Sequence, residues 1–442
     1  MMNSTPRPPT MNNSIVNPQE FAAIIHQKSA NFLGRDFVFT AINNFLNRYN
    51  RGYFTIIGLP GSGKSAIIAK YVKDNPSENC QVIYYNAELE GKNHAEEFLR
   101  FVCQQLLDIT PPQPSNIQSL SSSSPRSGGT EGGARREQNV SNIPSFTGGM
   151  RGVLPDNATE GSWFLSLLLQ QISDSLLQTN QINQTNQKLI IAIDSLNCIN
   201  RNSQPPGTNI FYLPPYVPPG VYFLLSRRPF LADNSGLLIE APVQSLHLGD
   251  YPQENKQDIQ DYIRSYINLS PECRDVPWNV STTNNVSTTN ANKSSTLKSG
   301  LNTQQINEVE FITNLTNRSE NNFKYVSEIL TAIADAFYTQ TEQIETSFPP
   351  GLITYYQQHL DKILDWENQD FAVEVLQFLA QQTPPISVTD IANLLDVDEF
   401  DVEEILEDWF ELLQVENTSD FPVYSLYHDN FRQWLISSHF HQ

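Results

Sequence analysis

The sequence predicts an α/β fold: a parallel β-sheet wrapped by helices, followed by a helical domain and a C-terminal winged-helix domain. Three observations carry this expectation. Short apolar runs alternate with helical patterns between residues 31 and 240, a glycine-rich loop separates the first run from a helix, and a hairpin pattern follows three helices near the C-terminus.

The apolar runs are TIIGL (Thr55–Leu59), VIYYN (Val82–Asn86), LIIAID (Leu189–Asp194) and VYFLLS (Val221–Ser226). Strands buried on both faces of a parallel sheet are apolar throughout rather than alternating. Between them, Ala95, Phe98, Leu99, Val102, Cys103 and Leu106 follow the spacing of an amphipathic helix. A second helix reads from Ser162 to Gln178, with Leu167, Leu168, Ile172 and Leu176 inward. Residues 31–240 therefore form one sheet-bearing domain.

Helical stretches at 256–267, 303–316, 325–338 and 352–364 assign residues 241–370 to a helical domain. Residues 371–442 read as a winged helix. Helices at 371–381, 388–395 and 400–413 precede a strand pair around Glu416 and Tyr424, and a last helix runs through Phe431, Trp434 and Leu435. Residues 1–30 are expected to be a flexible tail. Two further segments, 111–157 (rich in Ser, Gly and Pro) and 279–303 (opening on a tandem NVSTTN repeat), have too little to bury to offset their ordering entropy, and are expected to be disordered insertions.

Composition narrows the function. Among 442 residues, 39% are hydrophobic, enough for sizeable cores. Lys and Arg number 27 against 48 Asp and Glu, a net charge of −21, which opposes non-specific binding to nucleic acid or anionic membranes. Cys80, Cys103, Cys198 and Cys273 form no CxxC pair, so neither a disulfide framework nor a zinc ribbon is implied. No signal-peptide core or membrane-length apolar run is found, and a soluble cytoplasmic protein is expected.

The chemistry is concentrated at GLPGSGKS, which satisfies GxxxxGK[ST] between a strand and a helix. Gly58, Leu59, Pro60, Gly61, Ser62 and Gly63 form the loop, and its glycines let main-chain N–H groups turn toward phosphate oxygens. Lys64 is expected to contact the β- and γ-phosphates, Ser65 to ligate Mg²⁺, and Ala66 to open the following helix. This is a P-loop for ATP or ADP. Asp194, closing an apolar strand, is the expected second metal-side ligand. Arg227 and Arg228, at the end of VYFLLSRRP (Val221–Pro229), are suited to sensing a γ-phosphate, because a guanidinium binds phosphate oxygens bidentately.

FLGRD (Phe32–Asp36), GLPGSGKS, the Asp194 strand, LPPYVPPGVYFLLSRRP (Leu213–Pro229) and the helical and winged-helix tail occur in one order. Together they resemble the STAND class of signalling P-loop ATPases, nearest to bacterial NACHT and NB-ARC-like members, over about residues 31–440. The resemblance implies adenine-side contacts from Leu33, Gly34 and Arg35, and places the sensor arginine at Arg228. Tyr427-His428-Asp429 is similar to that class's Met-His-Asp motif, which implies a contact of His428 with the β-phosphate of ADP in a closed state. It also implies self-association in the ATP state; the effector and sensor parts usual in that class are expected either from separate proteins or not at all, the chain then being a remnant.

One departure matters. The acidic position expected to activate water is Asn197, and an amide cannot accept a proton. General-base help is commonly ~10²–10⁴-fold in rate, so slow or negligible hydrolysis is expected. Two rival readings are a DNA-associated AAA+ initiator-type ATPase and a non-catalytic scaffold stabilised by its nucleotide. Against the first, the stretch in the recognition position carries Asp398, Glu399, Asp401, Glu403, Glu404, Glu407, Asp408 and Glu411, which would repel phosphates.

Overall fold

The computed structural model describes residues 19–75, 80–110, 154–230, 235–268, 308–334, 347–363, 369–417 and 421–437. Most of the two expected insertions, at 111–153 and 279–303, lies outside these residues.

Five parallel strands make the main sheet: β1 (Gly52–Ile57), β2 (Cys80–Asn86), β3 (Lys188–Asp194), β4 (Val221–Arg227) and β5 (Val243–His247), in the order β2-β3-β4-β1-β5. β1 and β4 are buried along their whole length, as strands covered on both faces must be. Tyr53 of β1 stacks on Phe223 of β4 with ring centroids 4.7 Å apart, and its hydroxyl donates to the Pro214 carbonyl. That bond satisfies a polar group that would otherwise be costly to bury.

The helices of this part are α1 (Gln19–Ser29), α2 (Asp36–Arg48), α3 (Lys64–Asp74), α4 (Ala95–Ile109) and α5 (Trp163–Asn183). α1 packs on α3, α4 on α5, and α2 against β5. The rest comprises α6 (Pro252–Asn268), α7 (Glu308–Arg318), α8 (Phe323–Ala334), α9 (Pro350–Ile363), α10 (Gln369–Gln381), α11 (Val388–Leu395), α12 (Glu399–Asp408) and α13 (Asp429–Ser437). With them is a small antiparallel sheet, β6 (Ile386–Ser387), β8 (Pro422–Leu426) and β7 (Leu413–Asn417), in that spatial order.

Four differences from the sequence reading have physical causes. β5 extends the sheet beyond residue 240; of its residues only Leu246 is buried, so this edge strand has no apolar run to betray it. Gln19–Ser29, assigned to a tail, form α1, because Phe21 and Ile25 are inserted into the core. Leu167 is 41% exposed, while Leu165, Leu168, Leu169, Ile172 and Leu176 face inward, so the apolar stripe of α5 is rotated from the expected one. Finally, α6–α9 and the C-terminal elements, read as two domains, share a single hydrophobic core from Ile259 to Leu435, distinct from the sheet's own core from Phe21 to Leu248.

Candidate functional site

β1 delivers the chain into the glycine loop at Gly58, and the loop ends where α3 begins at Lys64. Gly61 (φ 76°) and Gly63 (φ 90°) adopt left-handed backbone that a side chain would strain. At Gly61 a Cβ would also lie 2.1 Å from Asn322 Oδ1. The loop and helix place the positive end of α3 where an anion would sit. The Lys64 ammonium donates to the carbonyls of Gly58 (2.7 Å) and Leu59 (2.9 Å), so it lies folded over its own loop.

Ser65 Oγ donates to Asp194 Oδ1 at 3.1 Å. The two residues are far apart in sequence, and parallel pairing of β3 with β4, and of β4 with β1, sets them side by side. Asp194 is wholly buried. Ser226 Oγ donates to its Oδ1, Tyr84 Oη to its Oδ2 at 3.3 Å, and the Ser195 N–H in turn donates to Ser226 Oγ at 3.0 Å. A buried carboxylate held by three hydroxyls is fixed in direction. A hydroxyl beside a carboxylate is also the hard oxygen-donor pair that Mg²⁺ takes, so the residues fit that ion.

A cavity of about 660 Å³ opens over this cluster, within the range of small-molecule sites. Both cores line it. Lys64, Ser65, Asn86, Glu88, Asn197 and Arg228 come from the sheet side, whereas Tyr262, Phe323, Lys324 and Tyr355 come from α6, α8 and α9. Leu33, Arg35, Pro60, Gly61, Gly63 and Ala66 also face it; Gly34, Gly58, Leu59, Ser62, Asp194 and His428 do not.

Arg35 has a different place from a simple adenine contact. Its guanidinium donates to the Ser62 carbonyl (2.7 Å) and to Asn255 Oδ1, and lies 4.5 Å from the Phe323 ring centroid. Its backbone N–H donates to Asp258 Oδ2 at 3.0 Å. Burial lowers its pKa to about 10 even though Asp258 opposes the shift. Arg35 therefore fastens the glycine loop to α6. Gly34 is needed here because a Cβ would collide with Asp258.

Asn197 Oδ1 accepts from the Arg228 N–H at 3.2 Å, which ties the end of β3 to the end of β4. Arg228 lines the cavity, while Arg227 points elsewhere, donating to the Ser235 carbonyl at 2.9 Å. His428 stands apart from the cavity. Its Nε2–H donates to the Ser319 carbonyl (2.9 Å) and its Nδ1 accepts from the Asn430 N–H (3.1 Å), which defines a neutral ring with both nitrogens engaged. Burial lowers its pKa, against the opposing pull of Glu320, Ser319 and Asp429. Both ring nitrogens are thus engaged within the protein, away from the cavity.

What His428 holds does touch the loop. Asn322 Nδ2 donates to the Pro60 carbonyl at 3.3 Å, and the Lys324 N–H donates to the Gly61 carbonyl at 3.1 Å. The turn from Ser319 to Lys324 therefore runs from His428 to the glycine loop. Sequence reasoning missed Ser226, Tyr84, Asn322 and Lys28. A polar residue inside an apolar strand was the available signal for Ser226, whereas nothing local marks Asn322.

No protein-family model matches the chain, and no curated protein is a significant match to it. Among solved structures, it is similar to a STAND protein with a tetratricopeptide repeat sensor from Pyrococcus horikoshii, at 14% identity over 91% of this chain, with a TM-score of 0.26. The chain spans 42% of that protein's length. It is also similar to Cdc6p from Pyrobaculum aerophilum (12% identity, 98% of this chain and 97% of that one, TM-score 0.28). A third is RuvB from Thermotoga maritima (10% identity, 93% and 98%, TM-score 0.32). The superpositions are loose, and the fold stands on strand order and loop geometry: this is an α/β P-loop NTPase fold with an attached helical part.

Proposed function

We propose that the chain is a nucleotide-operated switch of the STAND type, which binds ATP or ADP with Mg²⁺ and hydrolyses ATP slowly or not at all. The observation that carries this reading is the meeting of Ser65 and Asp194 at 3.1 Å beside Lys64, under a cavity lined by both cores. A ligand held between two cores can change how they sit only if it binds their two arrangements unequally.

Within this reading, Lys64 leaves the carbonyls of Gly58 and Leu59 for phosphate oxygens, and the loop amides hold the rest of the phosphate tail. Ser65 and Asp194 would hold Mg²⁺, which neutralises phosphate charge when bound. Arg228 is the γ-phosphate sensor. Asn197, already accepting from the Arg228 backbone, positions that sensor and takes no proton. Residues 371–442 act as a winged-helix domain, which reads the loop through the Ser319–Lys324 turn rather than through a phosphate on His428. Leu33 and Arg35 stand on the base side of the cavity. Exchange of ADP for ATP would loosen the turn from the loop and free a surface for self-association.

The test is the nucleotide that co-purifies with the protein. Retained ADP or ATP is expected, lost on Lys64→Ala with affinity at least about a hundredfold weaker, since charge-assisted bonds to phosphate are removed. Unchanged retention in that variant would end the reading.

A further inference from the structure

The P-loop motif supplies one lysine, yet a second lysine reaches the site from an element that no motif marks. Phe21, Ile25 and Lys28 lie on one face of α1, at i, i+4 and i+7. Phe21 is wholly buried, with its ring 5.6 Å from Tyr84 and 5.1 Å from Phe101, so the start of α1 is anchored to β2 and α4. Continuing that face by one turn carries Lys28 to the C-terminal edge of the sheet. There its Nζ lies 3.8 Å from Glu88 Oε2 and 4.0 Å from Asp194 Oδ2, and its side chain is only 24% exposed. Lys28 and Glu88 both line the cavity.

We propose that Lys28 is a γ-phosphate ligand that makes this site favour ATP over ADP and ties the docking of α1 to the nucleotide present. The inference rests on the P-loop reading and adds to it a discriminating residue. An ammonium beside Asp194 is well placed while the carboxylates are its only anions. A divalent cation taken by Ser65 and Asp194 would repel it from that position. A γ-phosphate restores the balance, because it brings further negative charge next to the same ion. With ADP there is no such group, and Lys28 keeps Glu88. Lys28 Nζ lies 4.0 Å from Asp194 Oδ2, and Asp194 Oδ1 lies 3.1 Å from Ser65 Oγ in the first turn of α3, so Lys28 and Ser65 flank the same carboxylate. By reciprocity, whatever Lys28 adds to ATP affinity ATP adds to the docking of α1.

The experiment measures the dissociation constants of Mg·ATP and Mg·ADP for the full chain and its variants. Lys28→Ala is expected to weaken ATP about ten- to a hundredfold while ADP stays within about twofold, the scale of one charge-assisted contact. Lys28→Arg, which keeps the charge and the helix, is expected to retain the preference and guards against misreading a folding defect. Amide hydrogen exchange over Gln19–Ser29 is expected to be slower with ATP than with ADP in the parent and equal in Lys28→Ala. Equal losses for both nucleotides, no loss for either, or exchange indifferent to nucleotide would each overturn the proposal. Lys64→Ala separates the two readings. If it leaves both affinities intact, the P-loop reading falls and takes this one with it; if it abolishes both while Lys28→Ala changes their ratio not at all, only the present proposal falls.

Discussion

The motif from Gly58 to Ser65 is contiguous in sequence, whereas the surface that faces it is gathered from α6, the α7–α8 turn and α9, with the turn held from behind by the start of α13. The first needs only a strand before it, a helix after it and glycines between, so its form is local. The second depends on helix ends finding partners. The carbonyls of Arg318 and Ser319, at the end of α7, have no acceptor role inside that helix. Asn430 Nδ2 donates to the first at 2.9 Å and His428 to the second, while Glu320 accepts from the Asp429 N–H at 2.9 Å. Two helix termini thus cap each other, and the turn between α7 and α8 is pinned where it meets the loop. A grip written in eight residues is joined to a clasp written across more than a hundred.

Changes on the loop side should be the more severe. Asp194→Asn keeps the shape but replaces the carboxylate that three hydroxyls and Lys28 address. Mg²⁺-dependent ATP affinity is expected to fall about ten- to a hundredfold, while binding in excess chelator changes little, because charge-assisted contacts are lost only on the metal side. Titrations with and without Mg²⁺ check this. A variant with undiminished Mg²⁺ dependence would show that Asp194 is a fold residue and would erase the contrast.

The junction comes next. Gly61→Ala places a methyl group against Asn322 and forces an L-residue to φ 76°, so it carries two separable costs. The left-handed backbone alone costs roughly 1–2 kcal/mol. In an Asn322→Ala background the collision disappears and only that part should remain. A double-mutant cycle on melting stability is expected to show coupling of about 1–3 kcal/mol, as for residues in direct contact. Additive losses would mean that the turn and the loop do not bear on each other.

How much of this was legible beforehand follows the same division. Four of the five main strands could be read because central parallel strands are apolar on both faces, and the glycine loop because its motif is local. β5 escaped because an edge strand exposes most of its side chains, and α1 because a helix anchored by two residues, Phe21 and Ile25, resembles a polar tail in composition. Lys64, Ser65, Asn197 and Arg228 line one cavity, with Asp194 hydrogen-bonded to Ser65. The resemblance implied a phosphate partner for His428, whereas in the structure its partner is a helix-end carbonyl, which no motif in its own segment encodes.

The smallest effect concerns that histidine and tests the clasp by pH. Its ring is 2% exposed and neutral, and protonating Nδ1 would leave the Asn430 N–H without an acceptor. Burial holds the folded pKa below the ordinary 6.5, although Glu320 and Asp429 face the ring and Ser319 accepts from it. The unfolded chain therefore binds a proton that the folded chain refuses, so stability is highest above pH 6.5 and is lost as pH falls below it. His428→Gln cannot titrate. Its melting temperature, lower than the parent's at pH 7.5, is expected to fall less steeply between pH 7 and pH 5. Carboxylates elsewhere titrate in both proteins and cancel in the comparison. Parallel pH profiles would mean that the ring accommodates a proton where it stands, and a clasp able to do that would no longer need a neutral His428 between α7 and α13.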